Sequence, residues 1–325
     1  MKKLFALMSA FMLLALAGCT QTQNNENEQT SEYGQYQGFN VVSLKGPTSM
    51  GIVKMMDEAK NNNYEILGTA DEAATKLVKG ETDIALVPAN LASVLYNKTE
   101  GKVRIAGINT LGVLYVVEKG DSIKSVADLK GKKIYSTGKG TTPEYALNYV
   151  LGKNGLNPET DVNVEYVSEA AQAANEVIAG NADIAVLPQP YVATVMMKQQ
   201  DLRIALDLTK EWEAVDSESS LVTGVIVVRK EIAESRKEDL NKFLDDYKSS
   251  VSFVNANTDE AAQLIEGVGI IPAATAKNAL PYCNIVFIEG EEMKLKLNGY
   301  FKALYEQNNA SVGGKLPDEA IYYSR

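Results

Sequence analysis

Four short segments carry the residues best suited to holding a small polar molecule. The first, Lys45-Gly46-Pro47-Thr48-Ser49-Met50, joins a cation and two hydroxyls to a glycine that lets the backbone approach closely. Its proline suits the first turn of a helix, and Thr48 or Ser49 can also cap that helix. The second, Ser136-Thr137-Gly138-Lys139-Gly140-Thr141-Thr142-Pro143, has the composition of a nest for a negative group. Here either Thr142 is the N-cap with Pro143 after it, or Thr141 and Glu144 form a capping box. The spacing of a nucleotide P-loop is absent. The third is a pair of corners, Pro88-Ala89-Asn90 and Pro188-Gln189-Pro190-Tyr191. Their amides each offer an acceptor and two donors, and Tyr191 offers a ring face and a hydroxyl, or else core packing. The fourth is Thr223-Gly224. The expected ligand contacts are Lys45, Thr48, Ser49, Met50, Asn90, Thr137, Lys139, Gly140, Thr141, Thr142, Gln189, Tyr191 and Thr223. No catalytic residue, metal ligand or cofactor is expected among them.

This is binding chemistry rather than bond-breaking chemistry. The chain has no histidine, which removes the Ser-His-Asp and Cys-His pairs, the imidazole base and the commonest metal ligand. Two cysteines cannot build a cysteine-rich zinc site. A net charge of −10 leaves no basic surface for phosphates, so nucleic acid is not an expected partner. The four segments also lack arginine, which counts against two-pronged recognition of a carboxylate. Lys45, Lys139, the hydroxyls and the backbone N–H groups suit a small anion or a polar heterocycle.

The elements that position these segments alternate between β-rich and helical runs. Residues 39–44, 64–67, 83–87 and 103–108 read as strands, with a helix over 48–60 and another opened by the Thr69-x-x-Glu72 capping box. Such alternation implies the α/β class, with helix-covered, mainly parallel sheets. Gly80-Glu81-Thr82-Asp83-Ile84-Ala85-Leu86-Val87-Pro88 returns a hundred residues later as Gly180-Asn181-Ala182-Asp183-Ile184-Ala185-Val186-Leu187-Pro188. Each is a glycine stop after a helix, a buried strand and a proline that turns the chain, which argues for two similarly built lobes. Apolar runs at 111–117 and 221–228 sit where the chain would cross between them. Lobe one is then residues 38–111 plus 223–325, and lobe two residues 112–222. Residues 231–254, 258–266 and 291–307 have helical spacing with charged outer faces. Arg229 is expected to be exposed, and Cys283 to pack as a small apolar residue.

The N-terminus reads as an address. Lys2 and Lys3 precede an uncharged apolar run over residues 4–17, shorter than the roughly 20 residues needed to span a bilayer. The run ends Leu16-Ala17-Gly18-Cys19, which resembles the lipobox of bacterial lipoproteins. That resemblance implies removal of residues 1–18 and acylation of Cys19, with a diacylglycerol on its thiol and fatty chains such as palmitate. Cleavage would remove both lysines and make the chain two charges more acidic. Residues 20–29 contain no aliphatic or aromatic side chain, so residues 19–37 are expected to be a flexible tether. Its reach is roughly 20–25 Å.

Three further stretches carry a resemblance that extends over residues 39–325. They are Ile123-Lys124-Ser125-Val126-Ala127-Asp128-Leu129-Lys130-Gly131-Lys132-Lys133-Ile134, then Gly155-Leu156-Asn157-Pro158, then Ala182 through Tyr191. With the Gly138–Thr142 loop they resemble the type II periplasmic-binding-protein fold, in the branch handling nitrate, sulfonates, taurine and the thiamine pyrimidine precursor. The resemblance implies two lobes that close on a small molecule about two crossing strands. It also implies delivery to a membrane permease driven by an ATPase, the chain acting as a monomer held to the outer face of the bacterial membrane by lipid. An enzyme on this scaffold is the weaker alternative. The fungal thiamine-pyrimidine synthases that resemble the fold use a histidine and a cysteine-rich motif, and this chain has neither. A surface sensor that binds a protein partner is the other alternative, and it would need a large exposed apolar patch.

Overall fold

The computed structural model describes residues 36–325. The leader, Cys19 and residues 20–35 of the tether lie outside these residues.

The first half of the chain runs β1 (Asn40–Leu44), α1 (Pro47–Met50), α2 (Val53–Glu58), β2 (Asn63–Leu67), α3 (Ala70–Lys79), β3 (Ile84–Pro88), α4 (Ala89–Lys98) and β4 (Val103–Leu111). It continues through β5 (Leu114–Lys119), β6 (Lys133–Thr137), α5 (Thr142–Lys153), β7 (Asn163–Val167), α6 (Ala170–Ile178), β8 (Ile184–Pro188) and α7 (Tyr191–Lys198). After β9 (Leu202–Asp207) and α8 (Leu208–Val215) comes β10 (Val222–Arg229), then α9 (Lys230–Ser235), α10 (Lys237–Ala256), α11 (Thr258–Gly267) and α12 (Ala273–Ala279). The last strand and helix are β11 (Ile285–Ile288) and α13 (Gly290–Gln307).

These strands form two sheets of one design. The first has the order β11-β4-β10-β3-β1-β2 and the second β7-β6-β8-β5-β9. In the first, β3 lies between a parallel β1 and an antiparallel β10. In the second, β8 lies between a parallel β6 and an antiparallel β5. The repeated sequence segments thus occupy equivalent central strands. Gly80 and Gly180 both take left-handed conformations, with φ of 76° and 77°, where a side chain would be strained. Pro88 pairs with Gly224 and Pro188 with Leu114, so each repeat ends beside one of the strands that follow the crossings. The fold is the expected two-lobe α/β architecture, but both sheets are mixed rather than mainly parallel: β10 and β11 run against the other strands of the first sheet, and β5 against the others of the second.

Three apolar clusters hold the layers. One gathers Phe39, Val41, Ile226 and the inner faces of α10 and α11 on the first sheet. Another gathers Tyr115, Val117, Leu187 and Val195 on the second. The third is continuous from Val87 and Ile105 through Leu114 and Trp212 to Tyr300 and Leu304. This cluster takes residues from both layers and so ties them through buried apolar surface, at about 25 cal/mol per Å².

Several local expectations are corrected. The helix expected over residues 48–60 is two pieces, parted at Gly51-Ile52. A Cβ on Gly51 would lie 2.6 Å from the Tyr247 hydroxyl, so the glycine is there to let α10 approach and it weakens the helix where it sits. The helical run from residue 231 is also two helices, broken at Arg236. Arg229 is not exposed: its side chain is 20% accessible and paired with Asp83 at 2.8 Å and Glu231 at 2.5 Å. The missing Cβ of Gly80, whose position would be 2.7 Å from the Arg229 Nη1, makes room for the guanidinium. Cys283 packs as expected, fully buried and unpaired, and burial pushes its thiol up to about 12. Among the described residues no helix is long and apolar enough to cross a membrane.

Candidate functional site

Strand direction decides which loops can meet. β1, β3, β6 and β8 end on the turns that open α1, α4, α5 and α7. Since β10 runs against both β3 and β4, and β5 against both β8 and β9, the carboxyl ends of β4 and β9 join the same sets. These are the ends at which open α/β sheets bind ligands. A cavity of about 360 Å³ beside Lys132 and Asp183 lies at the opposite strand ends.

On the first sheet the ends of β1, β4 and β10 converge. Gly46 takes φ 135°, which only glycine adopts freely, and turns the chain into α1. The Thr48 hydroxyl donates to the Leu44 carbonyl at 3.2 Å. The methyl group of Thr48 faces Gly224, where a Cβ would stand 2.6 Å from it. The same Cβ would stand 2.3 Å from the Asn109 Oδ1, so both groups crowd the one face of Gly224. The Asn109 Nδ2 donates to the Thr48 carbonyl at 3.4 Å, while its Oδ1 and the Thr110 hydroxyl are buried and unpartnered among the described residues. Thr48, Asn109 and Gly224 thus form one floor, with half-buried Thr223 beside it. Lys45 stands exposed at its edge.

Two residues of the same segment turn inward instead. Ser49 is fully buried and its hydroxyl lies 2.7 Å from the Ser43 hydroxyl and 2.5 Å from the Leu44 carbonyl, so it ties α1 to β1. Met50 is fully buried in the apolar cluster with Ile52 and Phe243.

On the second sheet the Gly138–Thr142 loop stands before α5. Neither of the capping arrangements expected from the sequence occurs. Thr141 is the N-cap but its hydroxyl donates to the Gly138 carbonyl at 2.6 Å, and the Glu144 carboxylate accepts from the Gly140 N–H at 2.5 Å. The left-handed backbone at Gly138 and Gly140 turns the loop back so that these short contacts form. Lys139, Gly140 and Thr141 are exposed, Thr137 is buried, and the Lys139 ammonium lies 6.0 Å from the Tyr166 ring. The Tyr145 hydroxyl donates to the Gly140 carbonyl at 2.7 Å and accepts from the Asn308 Nδ2 at 2.9 Å. Through Ser311, whose hydroxyl donates to the Asn308 carbonyl, this chain of contacts reaches Asn90, which donates to the Ser311 carbonyl at 3.4 Å.

At the second corner Gln189 is buried. Its Oε1 accepts from the Ala193 N–H at 3.2 Å, and its Nε2 has no partner among the described residues. Tyr191 is half-buried against the apolar cluster of the second sheet, the packing alternative for that residue. The structure therefore assembles Thr48 and Thr223 into one group, and the glycine loop with Asn90 into another. Gln189 stands apart from both.

Sequence reading missed Asn109, Thr110, Asp207 and Thr209. The available signal was a polar residue closing an apolar strand, in Ile108-Asn109-Thr110 and in Leu206-Asp207. The buried Thr209 hydroxyl lacks a partner and lies 2.2 Å from where a Cβ on Gly112 would stand, so only glycine fits the first crossing there. Asp207 caps α8 by accepting from the Thr209 N–H at 3.0 Å. Burial raises its pKa, against the capping N–H groups and Lys210 that lower it. A raised folded-state pKa means the charged carboxylate is disfavoured in the fold, so its contribution to stability improves as pH falls through that pKa. Asp207→Asn keeps the cap and removes the charge. The variant is expected to melt at or above the parent temperature at pH 7 and to lose that advantage at pH 3 to 4, near the ordinary aspartate value. A variant that melts lower at pH 7 would show that the carboxylate stabilises the fold.

A family model described as an ABC transporter, phosphonate, periplasmic substrate-binding protein matches residues 59–280. The binding protein YtlA of Bacillus subtilis (strain 168) is 25% identical over 190 residues, 57% of this chain and 55% of YtlA. The match thus spans about half the length of that relative. Among solved structures, an ABC transporter protein from Parabacteroides distasonis is 25% identical with a TM-score of 0.76, covering 89% of this chain and 99% of the other. The periplasmic aliphatic sulphonate binding protein SsuA from Escherichia coli shares the fold at 15% identity and a TM-score of 0.68, covering 87% and 93%.

Proposed function

Because the chain belongs to the phosphonate-type periplasmic substrate-binding proteins of ABC transporters, we propose that it is an extracytoplasmic solute receptor. It captures one small polar or anionic molecule between two lobes and delivers it to an ABC permease and its ATPase. The observation that carries this reading is the presence of polar, glycine-lined strand ends on two sheets of one design, joined by two crossings. Residues 38–111 with 223–325 form one lobe and residues 112–222 the other, and closure about the crossings falls in the microsecond-to-millisecond range.

The chain is a binding protein and not an enzyme, as its family is. Lys45, Thr48, Thr137, the Gly140 N–H, Thr141, Thr142 and Thr223 contact the ligand. With exposed Lys45 and Lys139 and a loop N–H already satisfied by a carboxylate, the site favours an anion that takes the Gly140 N–H from Glu144. A phosphonate, the solute for which the family is named, and a sulfonate, the class bound by the Escherichia coli protein SsuA, are both of that class. Cleavage before Cys19 and acylation of its thiol tether the monomer to the membrane through residues 19–37.

A thermal-shift screen of the whole chain against small phosphonates, sulfonates, nitrate and pyrimidines tests the reading. At 100 times its Kd a true ligand adds about 2.7 kcal/mol, so at least one compound should raise the melting temperature clearly. Uniform silence across the panel would contradict it. Mass spectrometry of the N-terminal peptide tests the anchor: a lipid-sized increment on Cys19 is expected, and an unmodified leader would refute it.

A further inference from the structure

A separate cavity of about 580 Å³ lies under the first sheet, at the strand ends opposite those that converge on the proposed solute site. It is enclosed by the ends of α3 and α4, the loop into β4, the last residue of β10, and α9. Leu77, Val78 and Val103 form its apolar wall. Lys98, Lys102, Arg229 and Lys230 bring cations to it, against the carboxylates of Glu231 and Glu234. The groove is thus locally positive in a chain of net charge −10.

Three observations say what would fit. The first is pairing. Arg229 is held by Asp83 and Glu231, and Lys230 has only Glu234, 3.8 Å away. Lys98 and Lys102 are exposed and make no ion pair among the described residues. Lys98 ends α4, where a cation offsets the helix dipole, but Lys230 opens α9, the end at which a cation is disfavoured. Helix capping therefore does not account for the whole cluster. The second is Val78, which at 58% is the most exposed large apolar side chain among the described residues. Cations beside an exposed apolar wall suit an anion that carries an apolar body better than a bare ion. The third is where the chain enters. The carbonyls of Gln37 and Gly38 accept from Arg236, directly after α9, and the Asn40 N–H donates to Asp83, the partner of Arg229. The segment of residues 19–37, with a reach of roughly 20–25 Å, therefore joins the fold at the margin of this groove.

We propose that this groove docks the headgroup of an anionic phospholipid on the membrane that carries the anchor. The phosphate lies among Lys98, Lys102 and Lys230, and the glycerol and first acyl carbons lie against Val78. The affinity needed is small, because a short flexible tether holds the two surfaces together at about millimolar effective concentration. The tether rests on the anchoring given under the proposed function, and the chemistry of the groove does not. A chain docked this way turns the strand ends of the solute site away from the bilayer, so it must leave the headgroup to meet a permease. The cavity of about 360 Å³ under the second sheet is an internal comparison. Its Lys119 and Lys133 are paired with Asp201 at 3.1 Å and Glu165 at 2.6 Å, and the entering strand β1 belongs to the other sheet.

The probe is dihexanoyl phosphatidylglycerol below its micelle concentration, titrated into the whole chain carrying methyl-labelled valine. Saturable shifts of the Val78 methyl signals are expected, while the fully buried methyls of Val116 and Val186 stay still. Dihexanoyl phosphatidylcholine should bind about tenfold more weakly or worse for want of net charge, and inorganic phosphate likewise for want of an apolar body. Lys98→Gln combined with Lys102→Gln should weaken phosphatidylglycerol by about tenfold or more, as should added salt. Lys132→Gln in the other cavity should leave it unchanged. Linear, non-saturating shifts, phosphatidylcholine or phosphate binding as tightly as phosphatidylglycerol, or parent-like binding by the folded double variant would each overturn the proposal. The probe is a soluble lipid, so none of these outcomes needs acylation of Cys19 or a hit in the solute screen, and the readings stand or fall separately.

Discussion

Replacing Trp212 with alanine is expected to lower the folding free energy by about 3–5 kcal/mol, the range for emptying the site of a buried large aromatic. Trp212 has no exposed surface and is the chain's one tryptophan. Its ring stacks on Tyr149 with centroids 3.9 Å apart and meets the ring of Tyr300 at 5.9 Å. Its indole N–H donates to the Ser219 hydroxyl at 3.0 Å. Tyr149 and Trp212 stand on α5 and α8, Tyr300 on α13, so the three rings join helices of the second layer to the long C-terminal helix. Loss of the ring leaves a cavity in a cluster both layers share, with an unpaired hydroxyl beside it. Urea unfolding followed by circular dichroism measures the effect, and Trp212→Phe should lose less because it keeps a stacked ring. A loss below about 1 kcal/mol would mean the layers are held elsewhere.

Gly224→Val is expected to weaken solute binding by about a hundredfold or more, equivalent to about 2.7 kcal/mol. Any Cβ at this position would stand 2.3 Å from the Asn109 Oδ1 and 2.6 Å from the Thr48 methyl. Asn109 has no exposed surface and β10 is paired on both edges, so neither neighbour can step aside cheaply. Overpacking of this kind also costs about 1–3 kcal/mol of stability. Gly68→Ala is the control, since a Cβ there meets nothing within 4 Å. Calorimetric titration with a hit from the solute screen reads the difference. Parent-like affinity in folded Gly224→Val would remove the floor of Thr48, Asn109 and Gly224 from the site.

The sequence announced the architecture because its strongest signals are local. A glycine stop, a buried strand and a proline recur in one register, and β3 and β8 are the central strands those residues predict. The crossings were legible as apolar runs in unexpected places, but not the direction in which β10 and β5 pair, which depends on partners far along the chain. Side-chain fates were harder. Ser49 and Thr48 are adjacent hydroxyls, yet one turns to Ser43 and the other faces Gly224, a choice made by the angle at which α1 meets β1. Met50 goes to the core for the same reason. Asn109 escaped notice because its partners, Thr48 and Gly224, lie 61 and 115 residues away in sequence. The Glu144 contact with the Gly140 N–H was hidden by two competing cap patterns that use the same residues.

The central claim is that one small solute is held at the strand ends of two layers. Isothermal titration of the whole chain with methylphosphonate, ethanesulfonate and nitrate tests it most directly. The account predicts saturable binding of at least one of these anions at one molecule per chain, lost in Gly224→Val. Absence of saturable heat for all three, or binding that Gly224→Val leaves unchanged, would contradict it.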